Sequence, residues 1–369
     1  MSGDLATDLR GPGTWSLSWH GVRTVALLEL RQRVKSSRWI VILAVWALII
    51  GGLTTLIRYS IFDSSDFALS DDDTAGATMF GVIVFLVLAL GSLVSPSLSA
   101  TSVNGDRNAG VLAIMQSTLL SPFELAVGKL LAAWACAIAL LVVALPFVGW
   151  AYLEGGTPIG RLLVTLLLLA LILLVVCSIG LGYSALTAKT SASAVLTYLT
   201  VAFLSLGLPL LFVLTLAMVT QDEKVQVRTQ VPVEQSVNGD TTYRCEYRTE
   251  TWSRTHTERT WWLLAANPYV VVADAAPVPQ RRHENDDPLS SIRQGVRELR
   301  LGQSAVEDEC GDFVSDDITQ ARDAELDRLP PIWPYGLAAD LLIGAGFLVL
   351  TVRRLRTPAD RLARGTRVA

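Results

Sequence analysis

The 369 residues contain no Gly-x-x-x-x-Gly-Lys-Ser/Thr run, the loop whose backbone cradles nucleotide phosphates. Gly128-Lys129 comes nearest, but Leu130 follows it and the upstream glycine is missing. The chain therefore carries no recognisable nucleotide-hydrolysing site of its own. Histidine is scarce: His20, His256 and His283 stand alone, with no metal-ligand spacing to cysteine or to one another. No Ser-His-Asp set or carboxylate pair is legible, so a membrane enzyme has no candidate centre. Charge is also scarce, at 17% of residues against 51% hydrophobic and a mean hydropathy of +0.44, which makes bilayer a better solvent for this chain than water. Finally, no short apolar run with a small-residue cleavage site precedes Trp39. Met1 to Ser18 is a polar leader followed by a basic stretch, so we expect no removed signal peptide and a first apolar segment that stays as a span.

What is present is a set of long uncharged runs. A hydrocarbon core of about 30 Å needs roughly 20 apolar residues in helix. Six stretches meet that length: Trp39 to Ile57, Thr78 to Val103, Leu130 to Tyr152, Leu162 to Ala188, Ser191 to Val219 and Pro334 to Val352. The fourth and fifth are parted only by Ala188-Lys189-Thr190-Ser191, enough for a tight helical hairpin. Pro209 lies inside the fifth and can kink it without ending it, because neighbouring helices can satisfy the carbonyl it frees.

Orientation follows from Lys and Arg, which accumulate on cytoplasmic flanks. Arg23, Arg31, Arg33, Lys35 and Arg38 precede span one. Arg107 and Lys129 lie between spans two and three, and Lys189 between four and five. Arg353, Arg354, Arg356, Arg361, Arg364 and Arg367 follow span six. The loop after span one has the opposite character, with Asp63, Asp66, Asp71, Asp72 and Asp73 against Arg58. An even number of spans with both termini cytoplasmic satisfies every loop. The expected fold is thus an all-α membrane protein of six helices with a small α+β extracytoplasmic domain. Its parts are a leader with an interfacial helix at 1–38, spans one to five at 39–219, the outer domain at 220–333, span six at 334–352 and a basic tail at 353–369.

The outer segment holds 21 acidic and 13 basic residues. Val225, Val227, Thr229, Val231 and Val233 alternate with polar residues ahead of Asn238-Gly239, the pattern of a β-hairpin. Ser290 to Leu329 is expected to be partly helical. Cys136 and Cys177 fall within spans, whereas Cys245 and Cys310 fall outside, where an oxidising exterior permits a disulfide between them.

The most informative loop joins spans two and three, 104–129. Ser121 can cap a helix, Pro122 suits its first turn and Glu124 stands at the capping-box spacing, which predicts a short surface helix before the span. Trp19 to Lys35, with Trp19, Val22, Ala26, Leu30 and Val34 at helical spacing, predicts an interfacial helix.

On Asp106, Arg107, Gly110, Val111, Leu112, Leu119, Leu120, Pro122, Glu124, Gly128 and Lys129, in that order, the chain resembles the permeases of type-2 ATP-binding-cassette (ABC) exporters. Asp106 stands where that family more often has Glu, and Val111 where it more often has Thr. The resemblance implies a loop that docks on a cytoplasmic ABC ATPase through Asp106, Arg107, Gly110, Ser121, Pro122, Phe123, Glu124 and Lys129, with Phe123 as anchor. It further implies ATP and Mg bound on that partner chain, a second permease subunit, and a pathway lined by spans two and five. The implied setting is a bacterial plasma membrane with no nucleic acid involved. Asn267-Pro268-Tyr269 resembles the segment that precedes the last span in many of these permeases.

An ion gradient as energy source would need ionisable residues inside the bilayer. Asp340 qualifies, and an interfacial or hydrogen-bonded structural role is the expectation for it. The poverty of carboxylates in the spans favours an apolar or amphipathic substrate. Trp333 and Tyr335 suit an outer aromatic belt. Two other readings stay open: a permease-like subunit that transmits motion to its outer domain without moving a substrate, and a structural membrane protein.

Overall fold

The computed structural model describes residues 13–63, 72–116, 120–155, 157–235, 241–276, 288–303, 306–308, 322, 324–326 and 328–356. Each of the six uncharged runs is a helix long and apolar enough to cross a membrane. Helix α1 (Trp19–Val34) precedes span one, α2 (Ser37–Asp63). Span two is α3 (Asp72–Ser99), which continues past a break at Thr101 into α4 (Ser102–Asn108) and is followed by the short α5 (Val111–Gln116). Spans three and four are α6 (Pro122–Leu153) and α7 (Ile159–Leu186). Span five is α8 (Thr190–Ala202), a π turn over Phe203–Gly207 and α9 (Leu208–Val219).

Span five runs straight into a sheet. Strand β1 (Thr220–Gln235) pairs antiparallel with β2 (Thr241–Thr255) from Thr220 opposite Thr255 onward, and β3 (Val306–Asp308) adds in parallel at Gln226–Arg228, giving the order β2-β1-β3. Val225 and Val227 are buried, as the alternation requires; the Asn238-Gly239 turn lies outside the described residues. The helices α10 (Trp262–Ala265), α11 (Pro268–Ala275) and α12 (Pro288–Leu301) follow, and span six, α13 (Trp333–Leu355), closes the fold. Cys245 is disulfide-bonded, Cys136 and Cys177 are free thiols, and Cys310 lies outside the described residues.

Span four is the centre of the bundle and packs against spans two, three and six. Its N-terminal half joins a core with Phe80, Ile83, Leu140, Leu169 and Ile172. Its C-terminal half joins a second core with Val103, Leu125, Ala126, Leu130, Leu181, Val352 and Leu355. Spans one and five sit at the periphery, with large apolar side chains such as Leu48, Leu206 and Leu214 exposed. The basic segments thus gather at one end of the bundle and the hairpin at the other. Gly336 is needed where α13 meets α10, because a Cβ there would lie 1.9 Å from the Ala265 carbonyl oxygen.

Two expectations are corrected. The predicted surface helix at Ser121 is not separate from span three: one helix runs from Pro122 to Leu153, because Leu125, Ala126 and Leu130 are buried on the same core as the span. A helix is present at Trp19–Val34, but its buried face is Gly21, Val22, Val25 and Glu29, and Trp19 is exposed. A buried ionic partner for Glu29 sets that rotation, which periodicity of apolar residues does not register.

Candidate functional site

At the basic end, the start of span three is the meeting point of the leader, α1 and α4. Ser121 and Glu124 form the capping box: Ser121 Oγ accepts from Glu124 N at 3.0 Å and Glu124 Oε2 accepts from Ser121 N at 2.9 Å. Glu124 has a further duty, since its Oε1 accepts from Ser18 N at 2.6 Å, while Ser121 Oγ donates to the Ser16 carbonyl at 2.6 Å. The Phe123 ring lies against Trp15, with centroids 5.7 Å apart. The leader is therefore stitched to the head of span three by Ser121, Phe123 and Glu124, which were expected to face a partner. Glu124→Ala removes the acceptor for two backbone N–H groups and is expected to cost about 1–3 kcal/mol, read as a lower thermal midpoint of the detergent-solubilised protein.

Two turns further along, Lys129 is fully buried and pairs with both Glu29 of α1 and Asp106 of α4; its Nζ also donates to the Ser102 carbonyl at 3.2 Å. One cation thus joins α1, α4 and span three. Close packing brings the same helices together at Gly128, where a Cβ would meet the Val25 side chain at 2.7 Å. Span four holds the other side of α4: Ser184 Oγ accepts from Val103 N at 2.9 Å and Asn104 N at 3.1 Å and donates to Asn104 Oδ1 at 3.1 Å.

This geometry sorts the predicted residues. Ser121, Glu124 and Lys129 are buried and bind the protein's own chain; Pro122 and Phe123 are half-buried. Asp106 faces Lys129 and is half-buried, as is Arg107. Gly110, with φ at +73°, lies in the link from α4 to α5, and Asn108, Ala109, Gly110 and Val111 are exposed. Leu119 lies outside the described residues. Trp15, Ser16, Ser18, Glu29, Asn104 and Ser184 were not singled out by sequence. A capping spacing is local and legible, whereas partners 80 to 106 residues away are not.

At the hairpin end, Asp274 of α11 is the organising group. Its Oδ1 accepts from Arg297 Nε of α12 at 3.1 Å, and its Oδ2 accepts from Ile332 N at 2.6 Å and Trp333 N at 3.0 Å, the start of span six. Tyr269 stacks on Phe85 of span two, with centroids 5.2 Å apart. Tyr335 and Trp262 are exposed, whereas Trp333 packs partly against the core that holds Phe80 and Leu169. Asp340 is 2% exposed, and neither carboxylate oxygen has a hydrogen-bond partner among the described residues. The helix periodicity places it one turn from both Gly336 and Gly344, on the face α13 packs inward.

Six apolar helices, a loop helix tied into the head of span three and a hairpin domain inserted before the last span define a multi-pass membrane protein of the permease type. The family model described as ABC-2 family transporter protein matches residues 23–273, and the chain belongs to that family. Comparison with curated proteins gives no match. Membership makes the chain a membrane permease subunit of an ABC transporter, whose working partners are the bilayer and an ABC ATPase.

Proposed function

We propose that this chain is the permease subunit of an exporter that moves an apolar or amphipathic substrate out of the cytoplasm by alternating access, driven by ATP and Mg on separate ATPase chains. The observation that carries this reading is the construction of the basic end. A buried cation, Lys129, ties α1 and α4 to span three, and the exposed tip Asn108 to Val111 projects from that rigid knot. A push on the tip is delivered to the spans with little lost in loop motion, because α4 is held from two sides. The poverty of ionisable groups in the spans supports an apolar or amphipathic cargo. The basic end would face the cytoplasm of a bacterial plasma membrane. A second permease subunit, identical or related, would complete the pathway. Span two is largely buried within this chain, so the peripheral faces of spans one and five are the surfaces left for it.

The docking element in this proposal is the tip rather than the capping residues. Asn108→Glu with Val111→Asp changes exposed side chains only, and is expected to reduce ATPase recovered with the tagged protein, co-expressed with its neighbouring genes, by about ten-fold or more at unchanged thermal stability. Equal ATPase recovery in wild type and variant would remove the tip from the interface; no ATPase in either would count against the exporter.

Asp274 favours a second reading, transmission of motion to the hairpin domain, because it links α12 directly to the start of span six. Thr220 and Thr255 are opposite one another, with their hydroxyls 3.0 Å apart, so residues 222–253 can be replaced by a short turn. Export that survives this excision favours the transporter.

A further inference from the structure

Span five is not a continuous α-helix. Over Phe203–Gly207 it widens to a π turn, with Leu208 N–H donating to the Phe203 carbonyl. The cause lies two residues on. Pro209 has no N–H, the group that in an α-helix would donate to the carbonyl of Ser205. A carbonyl left open within an apolar bundle needs another donor. Ser205 O has one: it accepts from Asn267 Nδ2 at 2.8 Å, 62 residues along the chain.

Asn267 is itself buried, and the other half of its amide is also committed. Its Oδ1 accepts from Tyr269 N at 2.9 Å and Val270 N at 3.4 Å, capping α11. Two N–H donors on one side and a carbonyl on the other fix which way the amide points. One side chain therefore closes the break in span five and the start of α11 together. Beyond it, α11 stacks Tyr269 on span two and holds α12 and span six through Asp274.

We propose that Asn267 replaces the missing N–H of Pro209 and so locks the π turn of span five to α11. Span five then cannot straighten or swing at its break unless the Asn267–Ser205 bond opens, and opening it frees α11 from that span. Asn267 is a positioning residue for span five, acting through the Ser205 carbonyl. The lock is a property of the bundle and needs no transported substrate.

The test is rescue. Asn267→Ser keeps an oxygen that can cap α11 but cannot reach Ser205, and Pro209→Ala returns a backbone N–H to span five. In detergent or nanodiscs, hydrogen exchange of peptides covering 203–212 is expected to quicken by about ten-fold in Asn267→Ser, with a lower thermal midpoint. Pro209→Ala added to Asn267→Ser is expected to return exchange to within about two-fold of wild type, because the span then supplies its own donor. Exchange in Asn267→Ser equal to wild type, or a double variant as fast as Asn267→Ser, overturns the proposal. Should Asn267→Ser yield no folded protein, recovery of folded protein on adding Pro209→Ala supports it, and failure to recover counts against it. Both readouts need neither ATPase nor substrate.

Discussion

Lys129→Met is expected to lose about 3–5 kcal/mol of stability, enough to remove most folded protein from a membrane preparation. The reason is what the substitution leaves behind. Lys129 is fully buried, Glu29 nearly so, and Asp106 is half-buried; without the ammonium group Asp106 loses its counter-charge and Glu29 keeps only the longer contact to Arg33 at 3.7 Å. The Ser102 carbonyl also loses a donor. Fluorescence-detected size exclusion and a thermal melt would read the loss. The loss should not be additive with its partners: Lys129→Met combined with Glu29→Leu and Asp106→Asn removes both charges along with the cation and should recover a substantial part of the stability, since a buried ion pair replaced by apolar groups is often neutral. A single variant as stable as wild type would mean that α1 and α4 are not held by this group. A triple variant that folds but no longer couples ATP hydrolysis to its spans would separate holding the knot together from transmitting force through it.

Asp274→Ala is expected to have an effect of similar size at the opposite end. It removes one partner of a buried ion pair, leaving Arg297 without its charge partner at 7% exposure, and takes the acceptor from two backbone N–H groups at the start of span six. A loss of about 3–5 kcal/mol follows from the buried charge alone. Asp274→Asn should cost less, because the amide oxygen can still accept from the head of the helix while the charge complement of Arg297 is gone. The graded order wild type, Asn, Ala in thermal midpoint checks the assignment. Equal losses for Asn and Ala would assign the whole effect to the ion pair and none to the helix start.

These two sites also mark where sequence reading reached and where it stopped. The spans were legible because a bilayer imposes a length of roughly 20 apolar residues on each helix, a one-dimensional constraint that composition alone can satisfy. The capping box at Ser121 and Glu124 was legible because its partners are three residues apart, and the hairpin because alternation and Asn238-Gly239 are local. The freed carbonyl at Pro209 was foreseeable in kind, since proline always removes a donor, but nothing local named Asn267 as the replacement. Lys129 and Glu124 could be ordered against a family pattern, yet their positions along the chain do not say whether a side chain faces a partner or the protein's own interior.

By itself, then, the sequence determined the number of spans, which of their ends carry the basic residues, the place of the hairpin domain, the absence of a nucleotide-binding loop and the family resemblance. All of these rest on local spacing or on totals. The tertiary structure decided that Glu124 and Lys129 are internal ties, that Glu29 lies on the buried face of α1, that Asp274 joins the hairpin-side helices to span six and that Asp340 is buried with no hydrogen-bond partner among the described residues. Each depends on groups from distant segments meeting in a low-dielectric interior, where pairing is compulsory but the choice of partner is set only by how the helices pack.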